Sequence, residues 1–290
     1  MSRFKGTKIN PKYFDRSQLK YYIILVPIGL FMVLPIVYIF SQAFKPLDEL
    51  LLYPPRFFVN NPTWKNFRDL FRTASSTGVP MSRYFFNSIV IAIVMVVTTV
   101  FLSTLTGYVL SKKKFRLKNT LLSINQLALM FVPIAVSIPR YIVVKEIGLT
   151  NNFFAHILPY LAMPVGLFLI KQFIDGVPNE LLEAARIDGA NDLQILTKIV
   201  MPLVKPAMAT VAILTFQSVW SNVEPSNIYI QDETMKSFAF YLNALANQQN
   251  VIAGAGMAAA ASLILFIPNL VIFIFMQSKV MNTMSHSGIK

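Results

Sequence analysis

The chain has 290 residues, of which 55% are hydrophobic and only 13% charged, with a mean hydropathy of +0.56. A water-facing domain carries about 25% charge, so composition excludes a soluble globular enzyme, a disordered regulator and a fibrous protein, and leaves an integral membrane protein. The net charge of +13 reads as membrane topology rather than as a nucleic-acid footprint, and the absence of cysteine excludes disulfides, thiol nucleophiles and Cys-ligated zinc.

In chain order, residues 1–21 form a basic tail. The uncharged run between Lys20 and Lys45 predicts span 1 near Tyr22 to Phe44. It is too long for a signal-peptide core and lacks a small-x-small cleavage site, so it reads as a retained anchor. Residues 45–84 form an outer loop in which Trp64 and Tyr53-Pro54-Pro55 suggest docking surface. Residues 85–280 are the core: span 2 near Phe85 to Leu110, span 3 near Asn119 to Ile138 and span 4 near Phe154 to Ile170. Span 5 lies near Ala207 to Asn222 and span 6 near Met257 to Met276, with a tail at 281–290. Pro27, Pro35, Pro133, Pro159, Pro164 and Pro268 fall inside spans and predict kinks.

Charge fixes the expected orientation. The N-tail, the Ser111 to Lys118 link, the Lys171 to Lys205 segment and the C-tail carry 17 basic residues against 6 acidic, and the opposite side carries 9 against 7. The short link with Lys112, Lys113, Lys114, Arg116 and Lys118 decides it, so both termini are expected in the cytoplasm and the link reads as a topology determinant.

The segment between spans 4 and 5, residues 175–206, predicts a helix, a tight turn and a second helix. Pro178 stands near a first helical position, and Glu180 and Glu183 complement the positive end of the helix dipole. Asp188-Gly189 stops the first helix, with Gly189 free to take positive φ. Asn191 and Gln194 make a capping box for the second, whose Leu193, Leu196, Ile199 and Leu203 are expected on one stripe. Ala184, Ala185 and Ala190 are small enough to admit another protein closely, and Glu183 could meet its cation; an ordinary solvated loop remains the alternative on these residues alone.

This segment resembles the EAA motif of binding-protein-dependent ABC importer permeases: Glu183-Ala184-Ala185, then Gly189, then Ile199, Met201 and Pro202, with Met201 where the motif usually has Leu. Asp188-Gly189-Ala190 and Pro206 resemble the carbohydrate-importer branch with its maltose-type permeases. So do Pro133, Pro139, Pro159, Pro164 and Trp220-Ser221-Asn222 with Pro225, over residues 80–290. The resemblance implies an all-α membrane fold of six transmembrane helices with both termini inside and a cytoplasmic coupling hairpin. It also implies a non-catalytic subunit in a bacterial or archaeal cell membrane, importing a sugar or oligosaccharide. The implied partners are two ABC ATPase subunits, a homologous second permease and an extracytoplasmic solute-binding protein. No cofactor is implied on this chain, which has no Gly-x-x-x-x-Gly-Lys-Ser/Thr loop; ATP and Mg belong to the ATPase.

In relatives the region matching Asn243 to Gly256 is a loop that reaches the binding protein, and the C-tail touches the ATPase. Gln217, Trp220, Asn222 and Glu224 are candidates for the solute path, because sugars favour aromatic stacking and amide hydrogen bonds. Arg140 is expected to snorkel to the outer surface, and His156 to be a satisfied helix-end residue. The competing classes are a permease for a glycerol-phosphate ester, an amino acid or an anion, and a self-contained secondary transporter. Against the latter, the six expected spans hold no Asp or Glu.

Overall fold

The computed structural model describes residues 19–72, 78–246 and 251–287, and every element among them is helical. α1 (Leu19–Phe44) contains Pro27 and Pro35 and is followed by two short helices, α2 (Leu47–Leu50) and α3 (Lys65–Arg72). Next come α4 (Met81–Lys112), α5 (Lys118–Met130) and α6 (Ser137–Glu146). α7 (Pro164–Asp175) leads into α8 (Asn179–Ile187), α9 (Asp192–Ile195) and α10 (Met201–Leu203). The chain continues through α11 (Lys205–Trp220), α12 (Glu224–Ile228), α13 (Phe238–Ala246) and α14 (Val251–Ser287).

Three helices are long and apolar enough to cross a membrane alone: α1, α4 and the Ala255–Phe275 part of α14. Three bent pairs bring the number to six if each pair is one span, with bends of 111° between α5 and α6, 47° before α7 and 81° before α11. A proline stands just after each break. Val132 before Pro133 takes ψ 131° and Met163 before Pro164 takes ψ 93°, both outside the helical region that a following proline disfavours. Pro206 falls in the first turn of α11, where its missing N–H costs nothing. The stretch expected as continuous span 3 therefore turns sharply after Met130. Span 4 begins as two 3₁₀ turns, Phe153–His156 and Leu158–Tyr160, and becomes α-helix only at Pro164.

α4 packs on α7 and α11, α11 on α14, and α14 in turn on α1, α3 and α13. Small residues set the closest approaches. A Cβ on Gly107 would lie 3.3 Å from Ile170 Cγ2, and one on Gly166 would lie 3.0 Å from Val211 Cγ1. Of the apolar cores among the described residues, the two largest lie at opposite ends of α4. Tyr108, Ile170, Ile174, Val200, Val204 and Val211 join α4, α7 and α11 at one end. Leu70, Met81, Tyr84, Phe238, Tyr241 and Ala260 join α3, α4, α13 and α14 at the other. The polar stretch from Asn243 to Gly256, expected as a loop, is largely helix: Asn243 lies on α13 and Gly256 on α14, while residues 247–250 lie outside the described residues. The helical backbone of α14 runs on through 281–287 of the tail, whereas 288–290 and the basic residues of 1–18 also lie outside the described residues.

Candidate coupling hairpin and solute path

The hairpin starts where Pro178, extended at φ −58° and ψ 136°, hands over to α8. Leu182 and Ala185 turn inward onto the core, while Glu183 and Ala184 face outward. α8 ends in a Schellman turn. The Ala190 N–H donates to the Ala185 carbonyl at 2.9 Å and the Gly189 N–H to the Arg186 carbonyl at 3.0 Å, with Gly189 at φ +81°. Among the described residues, no atom beyond the adjoining backbone lies within 4 Å of where a Gly189 Cβ would stand, so the demand for glycine there is conformational rather than steric. The expected capping box is present: Asn191 Oδ1 accepts from the Gln194 N–H and Gln194 Oε1 from the Asn191 N–H, both at 2.9 Å.

The second helix departs from expectation. Residues Leu196–Val200 form a π-turn between α9 and α10, and the widened turn shifts the inward face. Leu193 and Leu203 are exposed and Ile199 is half-buried, while Ile195, Leu196, Val200 and Val204 fill the core. The expected stripe is thus corrected to one spaced by four residues after Leu196. Met201 is half-buried against the same core and Pro202 is exposed beside it.

Outward, the hairpin presents Leu181, Glu183, Ala184, Ile187 and Asp188, with Ile187 at 87% exposure. Glu183 has no ion-pair or hydrogen-bond partner among the described residues. A groove of about 430 Å³ opens along the start of α8, lined by Gln172, Phe173, Gly176, Val177, Pro178, Leu181 and Leu203. Exposed apolar side chains and a free carboxylate, on a hairpin seated in the core of α4, α7 and α11, suit contact with another protein more than chemistry.

The basic link does more than its charge pattern indicated. Lys112 Nζ donates to the Val177 carbonyl at 2.6 Å and to Asn179 Oδ1 at 3.0 Å, and Lys113 Nζ pairs with Asp192 Oδ1 at 2.6 Å. The Tyr108 hydroxyl reaches the same Asp192 oxygen at 3.4 Å, and Ser111 Oγ donates to Asp175 Oδ1 at 2.5 Å. No sequence spacing joins positions 64 to 84 residues apart, so these partners were not legible beforehand.

At the far end of α11 the four path candidates separate. Gln217 is exposed, whereas Trp220 is buried at 4% exposure, stacked on Phe216 with its indole N–H donated to the Leu265 carbonyl at 2.9 Å. Its ring serves helix packing in this conformation. Asn222 Oδ1 accepts the Glu224 N–H at 3.0 Å. Glu224 faces Arg140, whose Nη1 lies 3.4 Å from both carboxylate oxygens and whose guanidinium stands 4.8 Å from the Tyr160 ring centre. Arg140 is therefore held by an ion pair and an aromatic face rather than extended alone to the surface; the one signal in sequence was a lone cation and a lone anion at the edges of two apolar runs. The nearby cavity among Ser88, His156, Tyr160, Ser218, Asn222 and Ser237 measures about 20 Å³, room for a water-sized molecule and not for a sugar ring. His156 is buried with its Nε2–H donating to the Met235 carbonyl at 3.0 Å, a satisfied structural histidine.

Residues 99–278 match the family described as "Binding-protein-dependent transport system inner membrane component". The chain belongs to this family. Among the permease's relatives are the arabinooligosaccharides transport system permease protein AraQ of Bacillus subtilis and the inner membrane ABC transporter permease protein YcjP of Escherichia coli. AraQ is 28% identical over 269 residues, covering 90% of this chain and 93% of the relative. YcjP is 26% identical over 258 residues, covering 88% and 90%. In fold the permease is similar to a chain in the crystal structure of a bacterial ABC transporter that imports the acidic polysaccharide alginate. The TM-score is 0.79 at 22% identity, covering 92% of this chain and 99% of that one.

Proposed function

We propose that this permease is the membrane subunit of an ATP-driven importer for a sugar or oligosaccharide, and that its α8–α10 hairpin is the part moved by a separate ATPase. The observation that carries this is the hairpin's construction: a free Glu183 and exposed Leu181 and Ile187 on one side, and a buried core shared with α4, α7 and α11 on the other. A force applied to the outer side must reach the three helices behind it. The sugar assignment is supported by relatives such as AraQ, together with the Asp188-Gly189-Ala190 extension.

On this reading each bent helix pair counts as one span, giving six, with both termini and the hairpin in the cytoplasm. Glu183 pairs with a cation of the ATPase, Ala184 and Ala185 allow close approach, and Asp188, Gly189 and Ala190 hold the turn. Ile199, Met201 and Pro202 seat the second helix. Two ATPase subunits, which carry ATP and Mg, and a homologous second permease complete the membrane assembly, and an extracytoplasmic solute-binding protein delivers the solute. Closure of the ATPase dimer favours one of two states of the spans; nucleotide shifts the equilibrium only through its different affinity for the two. Gln217, Asn222 and Glu224 border the path at its outer end, and Trp220 joins them only in a state where α11 has moved from α14.

The test is purification of the tagged chain from its native membranes in mild detergent, with mass spectrometry of what accompanies it. An ATPase and a second permease are expected, and the binding protein recovered with them is then screened against sugars, amino acids and glycerol-phosphate esters. Recovery of the chain alone, at amounts where subunits survive, would reverse the reading in favour of a self-contained transporter.

A further inference from the structure

Two adjacent lysines at the end of α4 each hold the start of a different hairpin helix. Lys112 is bonded to the Val177 carbonyl and Asn179 at the entry to α8, and Lys113 to Asp192 in the first turn of α9. Asp192 Oδ1 is a shared point: Tyr108 of α4 reaches it at 3.4 Å and Arg186 of α8 lies 3.8 Å away. Beneath these polar contacts Tyr108 is buried in the core that includes Leu182, Ile195 and Leu196. The apolar core resists separation of hairpin and helix but fixes direction poorly, because apolar contact is non-directional. Hydrogen bonds and ion pairs at two separate points supply the missing direction, as two bolts stop a plate from turning where one does not.

The geometry points to Lys112 and Lys113 as positioning residues that clamp the hairpin to α4, so that hairpin and α4 move as one rigid body. The inference deepens the proposed coupling role and rests on it for its purpose, though the clamp itself can be read without nucleotide. An exposed ion pair adds little to stability; the side chains of Lys113 and Asp192 are 34% and 57% exposed, so the consequence is expected in orientation rather than in unfolding.

Because the chain has no cysteine, spin labels can be placed on Val97→Cys and Lys198→Cys, both exposed, one on α4 and one on the hairpin. The distance distribution between them is measured by pulsed electron resonance on the full chain in its purified complex, without nucleotide and with ATP and vanadate. The wild-type background is expected to give one narrow distribution that keeps its width and centre in both conditions. Lys113→Glu is expected to broaden it at least twofold, Lys113→Gln less, and Lys113→Glu combined with Asp192→Lys to restore the narrow form. Equal widths in all four backgrounds, or a charge swap no narrower than Lys113→Glu, would overturn the clamp. A clamp that behaves as expected without nucleotide, in a complex where ATP and vanadate leave even the Lys113→Glu distribution unaltered, would instead count against the coupling reading. Thermal unfolding of each variant, followed by circular dichroism, separates a loosened clamp from a misfolded chain: the Lys113 variants should melt with the wild type.

Discussion

The two ends of α4 are fastened by different chemistry. At the end that starts with Met81, Asn87 is buried and its amide donates to the Thr234 and Lys236 carbonyls at 2.8 and 2.9 Å, while Ser88 Oγ accepts the Phe238 N–H at 2.8 Å. At the other end the fastening is Lys112, Lys113 and Asp192, exposed or half-exposed. Buried neutral bonds to backbone are insensitive to salt and costly to leave unmade. Exposed ion pairs are cheap to break and re-form. One end of α4 is thus joined by contacts that resist salt, and the hairpin end by contacts whose strength depends on it.

Asn87→Leu should break this contrast most severely. It strands the buried Lys236 carbonyl and removes one of two donors on the Thr234 carbonyl, which Arg83 Nε also serves, at about 1–3 kcal/mol for each group left unsatisfied. Thermal unfolding in detergent should show a lower melting point than for any hairpin variant. Gly189→Val comes next: a β-branched residue forced to φ +81° costs about 1–2 kcal/mol. The strain falls on the Schellman turn, so solute uptake in proteoliposomes should drop more than the melting point. Unchanged uptake would remove Gly189 from the coupling path. Glu183→Ala should leave the melting point alone, since the carboxylate has no partner within the described chain, and lower uptake per ATP hydrolysed.

Smaller effects sharpen the comparison. Raising salt to about 1 M shortens the screening length to about 3 Å and should broaden the label distance across the Lys113–Asp192 pair while leaving the Asn87 joint untouched. Acid should act elsewhere, on the segment between α1 and α3. Glu49 is buried and accepts the Asn60 and Asn61 N–H groups at 3.0 and 2.8 Å, which hold its carboxyl below the ordinary value of 4.5. A depressed carboxyl contributes stability that is present above its unfolded value and lost as pH falls through the folded one. In a Trp220→Phe background, Trp64 emission should therefore be flat from about pH 5 to 8 and change only below the ordinary carboxylate value.

Much of the hairpin was legible because its signals are local. Pro178, Gly189, Asn191 and Gln194 each act on backbone within a few residues, and each is found doing so. Long uncharged runs likewise marked α1, α4 and α14. What was not legible depends on partners far away in sequence. The lysine link looked like a topology signal because charge counting does not say which carbonyl a lysine meets. Trp220 looked like a sugar platform because nothing local shows that its N–H faces Leu265. α1 and α4 are similarly apolar, yet the most apolar stretch of α1 is exposed throughout whereas a third of that in α4 is buried. Apolar content finds a span and is silent on its neighbours.

The π-turn at Leu196–Val200 has a consequence for the length of the chain. Such a turn takes one more residue than the α-helix around it while the flanking segments continue as helix. Chain length is therefore a relaxed quantity at this one place: losing a residue there tightens the turn into ordinary helix, whereas the same loss within α8 would rotate the rest of the hairpin by about 100°.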